Sequence, residues 1–202
     1  KAGGFDAVIG NPPYLAGREW TVFLHSQRHY FSEHYSCMTD QYDLYALFIQ
    51  KVVDLLHERG LFGFITPHTW LNNEHYIHLR EWLSEKADLE RLGYYRNINV
   101  FNKATVLPIV TIASRNKKTT VDHQIIVEAF TEELKSERMQ TSVAVWKQFP
   151  NLIFNLSISN DDLPVLKKIE SSSVSLETLG EVRFGVKVYQ KGKGKPPQTG
   201  AE

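Results

Sequence analysis

Residues 5–15 read FDAVIGNPPYL. The first six are mostly apolar and close on Gly10, which predicts a short buried strand. A stiff corner follows. Proline lacks a backbone N–H and has a fixed φ, so Pro12 and Pro13 end the strand. Asn11, standing before Pro12, is pushed toward an extended conformation too. A strand that stops on such a corner holds its oxygens rigidly. In a parallel sheet, the loops at the carboxyl ends of strands are where ligands bind.

Working outward, Asp40 to Arg59 places Leu44, Leu47, Phe48, Val52, Leu55 and Leu56 at helical spacing, with Gly60 as the expected stop. LFGFITP (61–67) is a near-continuous apolar run closed by Pro67, the pattern of a strand buried on both faces. Residues 74–86 predict a second helix through Ile77, Leu79, Trp82 and Leu83. ERLGYYR (90–96) and VLPIVTIAS (106–114) predict two further strands. Strand, helix, strand, helix, strand is the order of an α/β fold on a parallel sheet. QIIVEAF (124–130) predicts one more strand, whereas 131–160 is weakly periodic and reads as a bridge. A short helix is expected over Asp161–Glu170. SSSVS (171–175) reads as a joint, and a β-like start then runs into a Gly-, Lys- and Pro-rich tail. The expected domains are thus 1–115, a bridging segment 116–172, and the start of another domain at 173–202.

Composition narrows the class. The chain has 202 residues, 42% hydrophobic, with Lys plus Arg equal to Asp plus Glu at 23 each. That is a globular composition with no global charge signal for a nucleic-acid partner, which leaves local patches to carry one. The one cysteine, Cys37, excludes an internal disulfide and fits a reducing compartment. No apolar run reaches the roughly 18 residues of a membrane span. A cytoplasmic protein, bacterial or archaeal, without a membrane partner is expected. The chain opens on Lys1 and meets a strand within a few residues, which predicts a piece of a longer polypeptide.

The corner suggests a chemistry. The Asn11 amide oxygen and the Pro12 carbonyl could accept both hydrogens of an exocyclic amine, with Tyr14 flat against the ring that bears it. Two fixed acceptors would help localise the lone pair of an otherwise poor nucleophile as a bond forms. A plain strand-ending turn is the alternative, since Asn- and Pro-rich loops are common.

NPPY after a hydrophobic strand resembles the catalytic motif of DNA methyltransferases that modify adenine at N6. Further blocks match in order: DLYALF (43–48), GLFGFITPHTWL (60–71), VFNKATVLPIVTI (100–112) and LGEVRFGVKVYQKGKGKPPQT (179–199). The order is similar to the gamma-class arrangement of Taq-type enzymes and of single-chain restriction–modification enzymes. The resemblance implies a partial Rossmann-like, S-adenosylmethionine-dependent fold (the second half of its sheet), followed by a bridge and the start of a target-recognition domain. It implies that Asn11, Pro12, Pro13 and Tyr14 form the catalytic corner and that Phe101 contacts the far side of an adenine flipped from double-stranded DNA. It also implies direct methyl transfer from S-adenosylmethionine without a covalent enzyme intermediate. The family's cofactor site lies mainly upstream, and no glycine-rich strand-to-helix turn precedes NPPY here. The upstream half of the same polypeptide is therefore the expected partner, and this piece alone is expected to be inactive.

Other constellations weigh less. His25, His29, His34 and Cys37 are irregularly spaced for a metal site, so none is expected. Arg18, Trp20 and Arg28 could help position DNA from an insertion after the corner. Glu133 and Lys135, downstream of Asp122, only loosely resemble a nuclease motif. Arg183, Lys187, Lys191, Lys193 and Lys195, interleaved with Phe184 and Tyr189, could follow a phosphate backbone or form a solvated terminus. A methyltransferase for protein glutamine or RNA, and a non-catalytic DNA-specificity module, remain the alternative functions.

Overall fold

The apolar alternation of Phe62, Phe64 and Thr66 builds the centre of the fold, because all three side chains are buried on one face of a strand. The computed structural model describes residues 3–16, 22–37, 43–95, 107–115, 123–131 and 136–181. In chain order the elements are β1 (Phe5–Gly10), α1 (Val22–Ser26), α2 (Arg28–His34), α3 (Leu44–Leu55), β2 (Leu56–Pro67), α4 (Ile77–Lys86), β3 (Ala87–Tyr95), β4 (Pro108–Arg115), β5 (Gln124–Phe130), β6 (Ser136–Ser142), α5 (Val143–Trp146), α6 (Leu163–Ser172) and α7 (Leu176–Leu179). Single 3-10 turns occupy His68–Leu71, Glu74–Tyr76, Pro150–Leu152 and Asn160–Asp162. The chain forms two units, Lys1–Leu163 and Pro164–Glu202. The second carries most of α6 and all of α7. No described helix is long and apolar enough to cross a membrane.

The six strands form one sheet in the order β1-β2-β4-β3-β5-β6. It is mixed rather than parallel. β1 runs parallel to β2 and β3 parallel to β5, but β4 inserts antiparallel between β2 and β3. The reason is the connection. β2 reaches β3 through α4, whereas no described helix lies between β3 and β4, and a parallel return needs a crossover. β5 and β6 pair antiparallel. The stretch expected as a bridge therefore supplies an edge strand, and also core: Val143, Val145, Trp146 and Phe154 are buried, with the Trp146 and Phe154 rings stacked at 4.2 Å. Truncating a buried aromatic of this kind typically costs about 3–5 kcal/mol.

Three local expectations change. β1 is not buried: Ile9 is 88% and Phe5 57% exposed, and the strand lies at the edge of the sheet beside β2. β2 buries one face fully, while Leu61, Gly63 and Ile65 on the other are exposed or half-buried. Gly60 does not stop α3, which ends at Leu55. Between the pairs Phe5↔Leu56 and Ala7↔Leu61 the register shifts, so the β2 residues between them bulge, with Arg59 at φ 67°. Gly60 is required there because a Cβ would lie 2.5 Å from the Phe5 carbonyl oxygen.

Candidate active site at the end of β1

The corner leaves β1 at Gly10, which pairs with Phe64 of β2. Because the two strands are parallel, Asn11–Tyr14 and the His68–Leu71 turn lie at the same end of the sheet. Asn11 and Pro13 are exposed, Pro12 is buried and Tyr14 is half-buried. Pro12 thus anchors the corner while Asn11 faces outward. Neither the Asn11 side-chain amide nor the Pro12 carbonyl has a hydrogen-bond partner among the described residues.

Tyr14 is fixed from below. Its hydroxyl donates to the Ile65 carbonyl of β2 at 3.0 Å, and its ring meets Tyr45 edge-on, with centroids 6.3 Å apart at 83°. Burial pushes the Tyr14 phenol pKa up, which keeps it a neutral donor. The next residues dock on α3: the Leu44 amide donates to Leu15 O at 2.9 Å, and Ala16 forms an isolated antiparallel bridge with Asp43. Beneath them, the Tyr76 hydroxyl donates to Asp43 Oδ2 at 2.7 Å. The Tyr76 ring stacks on Tyr45 at 5.8 Å and 16°, and the Tyr45 hydroxyl lies 3.3 Å from Thr69 Oγ1. Burial raises the pKa of both phenols, and for Tyr76 the Asp43 hydrogen bond adds to that. Beyond, along the same end of the sheet, a cavity of about 370 Å³ is lined by His68, Leu71, Tyr94, Tyr95, Pro108 and Phe154 among others, with no Lys, Arg, Asp or Glu among the described residues of its wall.

Over residues 1–101 the chain matches the Eco57I restriction-modification methylase family. It belongs to that family. This Eco57I-family chain is 30% identical over 113 residues to the type II restriction enzyme and methyltransferase RM.Eco57I of Escherichia coli, covering 55% of this chain and 11% of that protein. It is 29% identical over 189 residues to the type II methyltransferase M.TthHB8I of Thermus thermophilus, covering 91% of this chain and 40% of the relative. The chain therefore spans well under half of each of these relatives. Among solved structures, the type IIG restriction endonuclease BpuSI superposes with a TM-score of 0.60 at 17% identity, over 88% of this chain and 23% of that one. That likeness shows the fold: a mixed α/β sheet of the Rossmann-like methyltransferase kind.

Of the residues expected at the site, the structure places Asn11, Pro12, Pro13 and Tyr14 together. Phe101, Arg18, Trp20, Asp122, Glu133 and Lys135 lie outside the described residues, as do Arg183, Lys187, Lys191, Lys193 and Lys195. The histidines after the corner have other partners. His34 stacks on Tyr30 at 4.1 Å, and His29 pairs with Glu33 at 3.3 Å. Among the described residues no group of three or more His, Cys, Asp or Glu side chains could hold a metal. Cys37 is core: it is 1% exposed, its amide donates to Gln50 Oε1 at 3.1 Å, and burial pushes its thiol up to about 12. A thiol so protonated is no nucleophile. Asp43, Tyr45 and Tyr76 were not anticipated from the sequence. Asp43 and Tyr45 stand inside the DLYALF block, whose acid-then-tyrosine spacing at a helix start was the available signal.

Proposed function

We propose that the intact protein is a site-specific DNA adenine-N6 methyltransferase of a restriction–modification system, and that this chain carries its adenine-facing half. The observation that carries the reading is the corner itself. In an Eco57I-family chain, an exposed Asn11 amide and a Pro12 carbonyl stand without partners among the described residues at the carboxyl end of a strand, over a tyrosine tied to the neighbouring strand. An adenine extruded from double-stranded DNA offers both amine hydrogens to these oxygens. Holding them draws the nitrogen away from planarity and frees its lone pair for attack. Tyr14 supports the ring, a contact worth about 1–3 kcal/mol per base and comparable to the cost of unstacking it. Phe101 is assigned to the opposite ring face. Arg183, Lys187, Lys191 and Lys193, in the proposed start of the recognition domain at 173–202, are assigned to the phosphate backbone.

The methyl donor is S-adenosylmethionine, which supplies an electrophilic methyl group when bound. Among the described residues, no glycine-rich turn from strand to helix offers the usual site for it. Gly3 and Gly4 precede β1 instead of following a strand, and Gly4 is packed against the His57 backbone. The cofactor site is assigned to an upstream half of the polypeptide, docked on the bare side of β1, where Ile9 and Phe5 lie exposed. A cytoplasmic location fits a protein that acts on chromosomal DNA. The amine-binding corner would equally serve a protein glutamine or an RNA base, and restriction–modification relatives favour DNA.

The test uses the full-length protein with radiolabelled S-adenosylmethionine and duplex DNA, RNA or glutamine peptide, followed by nucleoside analysis. N6-methyladenine in duplex DNA is expected, and Asn11→Ala should lower kcat by about 10²–10³ while DNA affinity holds. Label in peptide or RNA alone, or full activity of Asn11→Ala, overturns the reading.

A further inference from the structure

We propose that Asp43 and Tyr76 are positioning residues, forming a latch that sets the catalytic corner without touching substrate. The inference rests on the corner's assignment above. Asp43 sits at the N-cap of α3, where an aspartate ordinarily accepts from the helix's free amides, yet its side chain makes no capping bond. The carboxylate instead accepts from the Tyr76 hydroxyl at 2.7 Å. The fold thus forgoes the ordinary capping contact and uses the group elsewhere.

What Asp43 holds in return is the segment just after Tyr14. Its backbone bridges Ala16, and the amide of the following residue, Leu44, binds Leu15 O at 2.9 Å. A closed ring of contacts results. Tyr14 meets Tyr45 edge-on, Tyr45 stacks on Tyr76, Tyr76 binds Asp43, Asp43 bridges Ala16, and two peptide units lead back to Tyr14. Tyr45 is 0% and Tyr76 6% exposed, and Asp43 is half-buried, so the phenol–carboxylate bond lies at the margin of the core. A hydrogen bond from a phenol to a carboxylate is short and stronger than one between neutral groups. Opening the ring at this link frees residues 15–16, and with them the orientation of Tyr14 and the oxygens just before it. Misplacement of about 1 Å at a reacting centre is enough to cost of order 10²-fold in rate.

The experiment uses the full-length protein with Tyr76→Phe, Asp43→Ala, their double variant and Asp43→Asn. Expected are a kcat lowered about 10-fold or more in each of the first two, a DNA Kd within about twofold of wild type, and a double variant no worse than the poorer single. Asp43→Asn keeps an acceptor for the hydroxyl and should recover most of the rate. Amide hydrogen exchange supplies a readout independent of turnover. The Leu44 amide should exchange at least about 10-fold faster in Tyr76→Phe, while the Phe154 amide, bound to Leu71 O at 2.9 Å, should not change. Wild-type kcat and wild-type Leu44 exchange in Tyr76→Phe would overturn the latch, as would strictly multiplicative losses in the double variant. If wild type methylates no adenine yet Leu44 exchange responds, the function assigned to the corner fails and the latch stands as a device of the loop.

Discussion

Asp43 and Arg80 are both polar residues in places where composition alone suggests an ordinary solvated helix. Arg80 is 0% exposed on α4, and it makes no ion pair among the described residues. Its Nη1 donates to Trp70 O at 2.7 Å and Asn73 O at 2.8 Å, and its Nη2 to Asn151 O at 2.8 Å. Burial lowers its pKa to about 10, which still leaves it charged at neutral pH. One guanidinium thus pins the turn after β2 to the Pro150–Leu152 turn, where Asn151 has φ 56°. Arg80→Met leaves three carbonyls without their donor, and stability should fall by about 3 kcal/mol or more. A lowered urea midpoint at unchanged slope would show it; a midpoint equal to wild type would refute the role. Arg80→Lys should rescue little, because an ammonium lacks the planar fork. The backbone corner at Asn11–Tyr14 was legible in the sequence, since proline stiffness is local. The sequence hid Arg80, Asp43 and Tyr76, whose partners stand up to 71 positions away.

At the scale of elements, the apolar periodicities of α3, α4, β2, β3, β4 and β5 could all be read in advance, because each is half of a core contact. Strand direction could not, because it depends on the link between strands. β6, SERMQTS, was hidden for another reason. It is a polar edge whose pairing partner β5 does the burying, so its own pattern carries no apolar signal. What ties it in is charge. Glu128 of β5 is 4% exposed and accepts from Arg138 of β6 and from Arg91 of β3, the latter at 2.9 Å. Burial works to raise the Glu128 pKa, but the two guanidinium hydrogen bonds outweigh it and hold the carboxyl below the ordinary range. With the folded pKa below the unfolded value of about 4.3, the stabilisation is present above that pH and is lost as pH falls through the folded value. Both arginines reach into solvent, so salt should shrink the effect. Melting temperature against pH should therefore drop more steeply on the acid side in wild type than in Glu128→Gln. Parallel curves would rule the ion pairs out as its source.

For the molecule as a whole, β1 is the element whose sequence and surroundings disagree most. Its apolar side chains predicted burial, and Ile9 lies 88% exposed instead. The expected burial is thus not met by the described residues, and the exposed apolar side chains offer a face on which the proposed upstream part would dock. Titrating the 202-residue chain with S-adenosylmethionine should then give no micromolar binding by calorimetry. A micromolar dissociation constant would place the cofactor site on this chain after all.

The seclusion of Cys37 has a practical use. Its sulfur lies inside the core and its thiol titrates only in strong alkali, so maleimide dyes at neutral pH will pass it by. A cysteine installed at exposed Pro13 or Ser36 becomes the only reactive handle on this chain. Motion of the loops that carry these positions can then be followed by fluorescence in a protein that keeps its native interior.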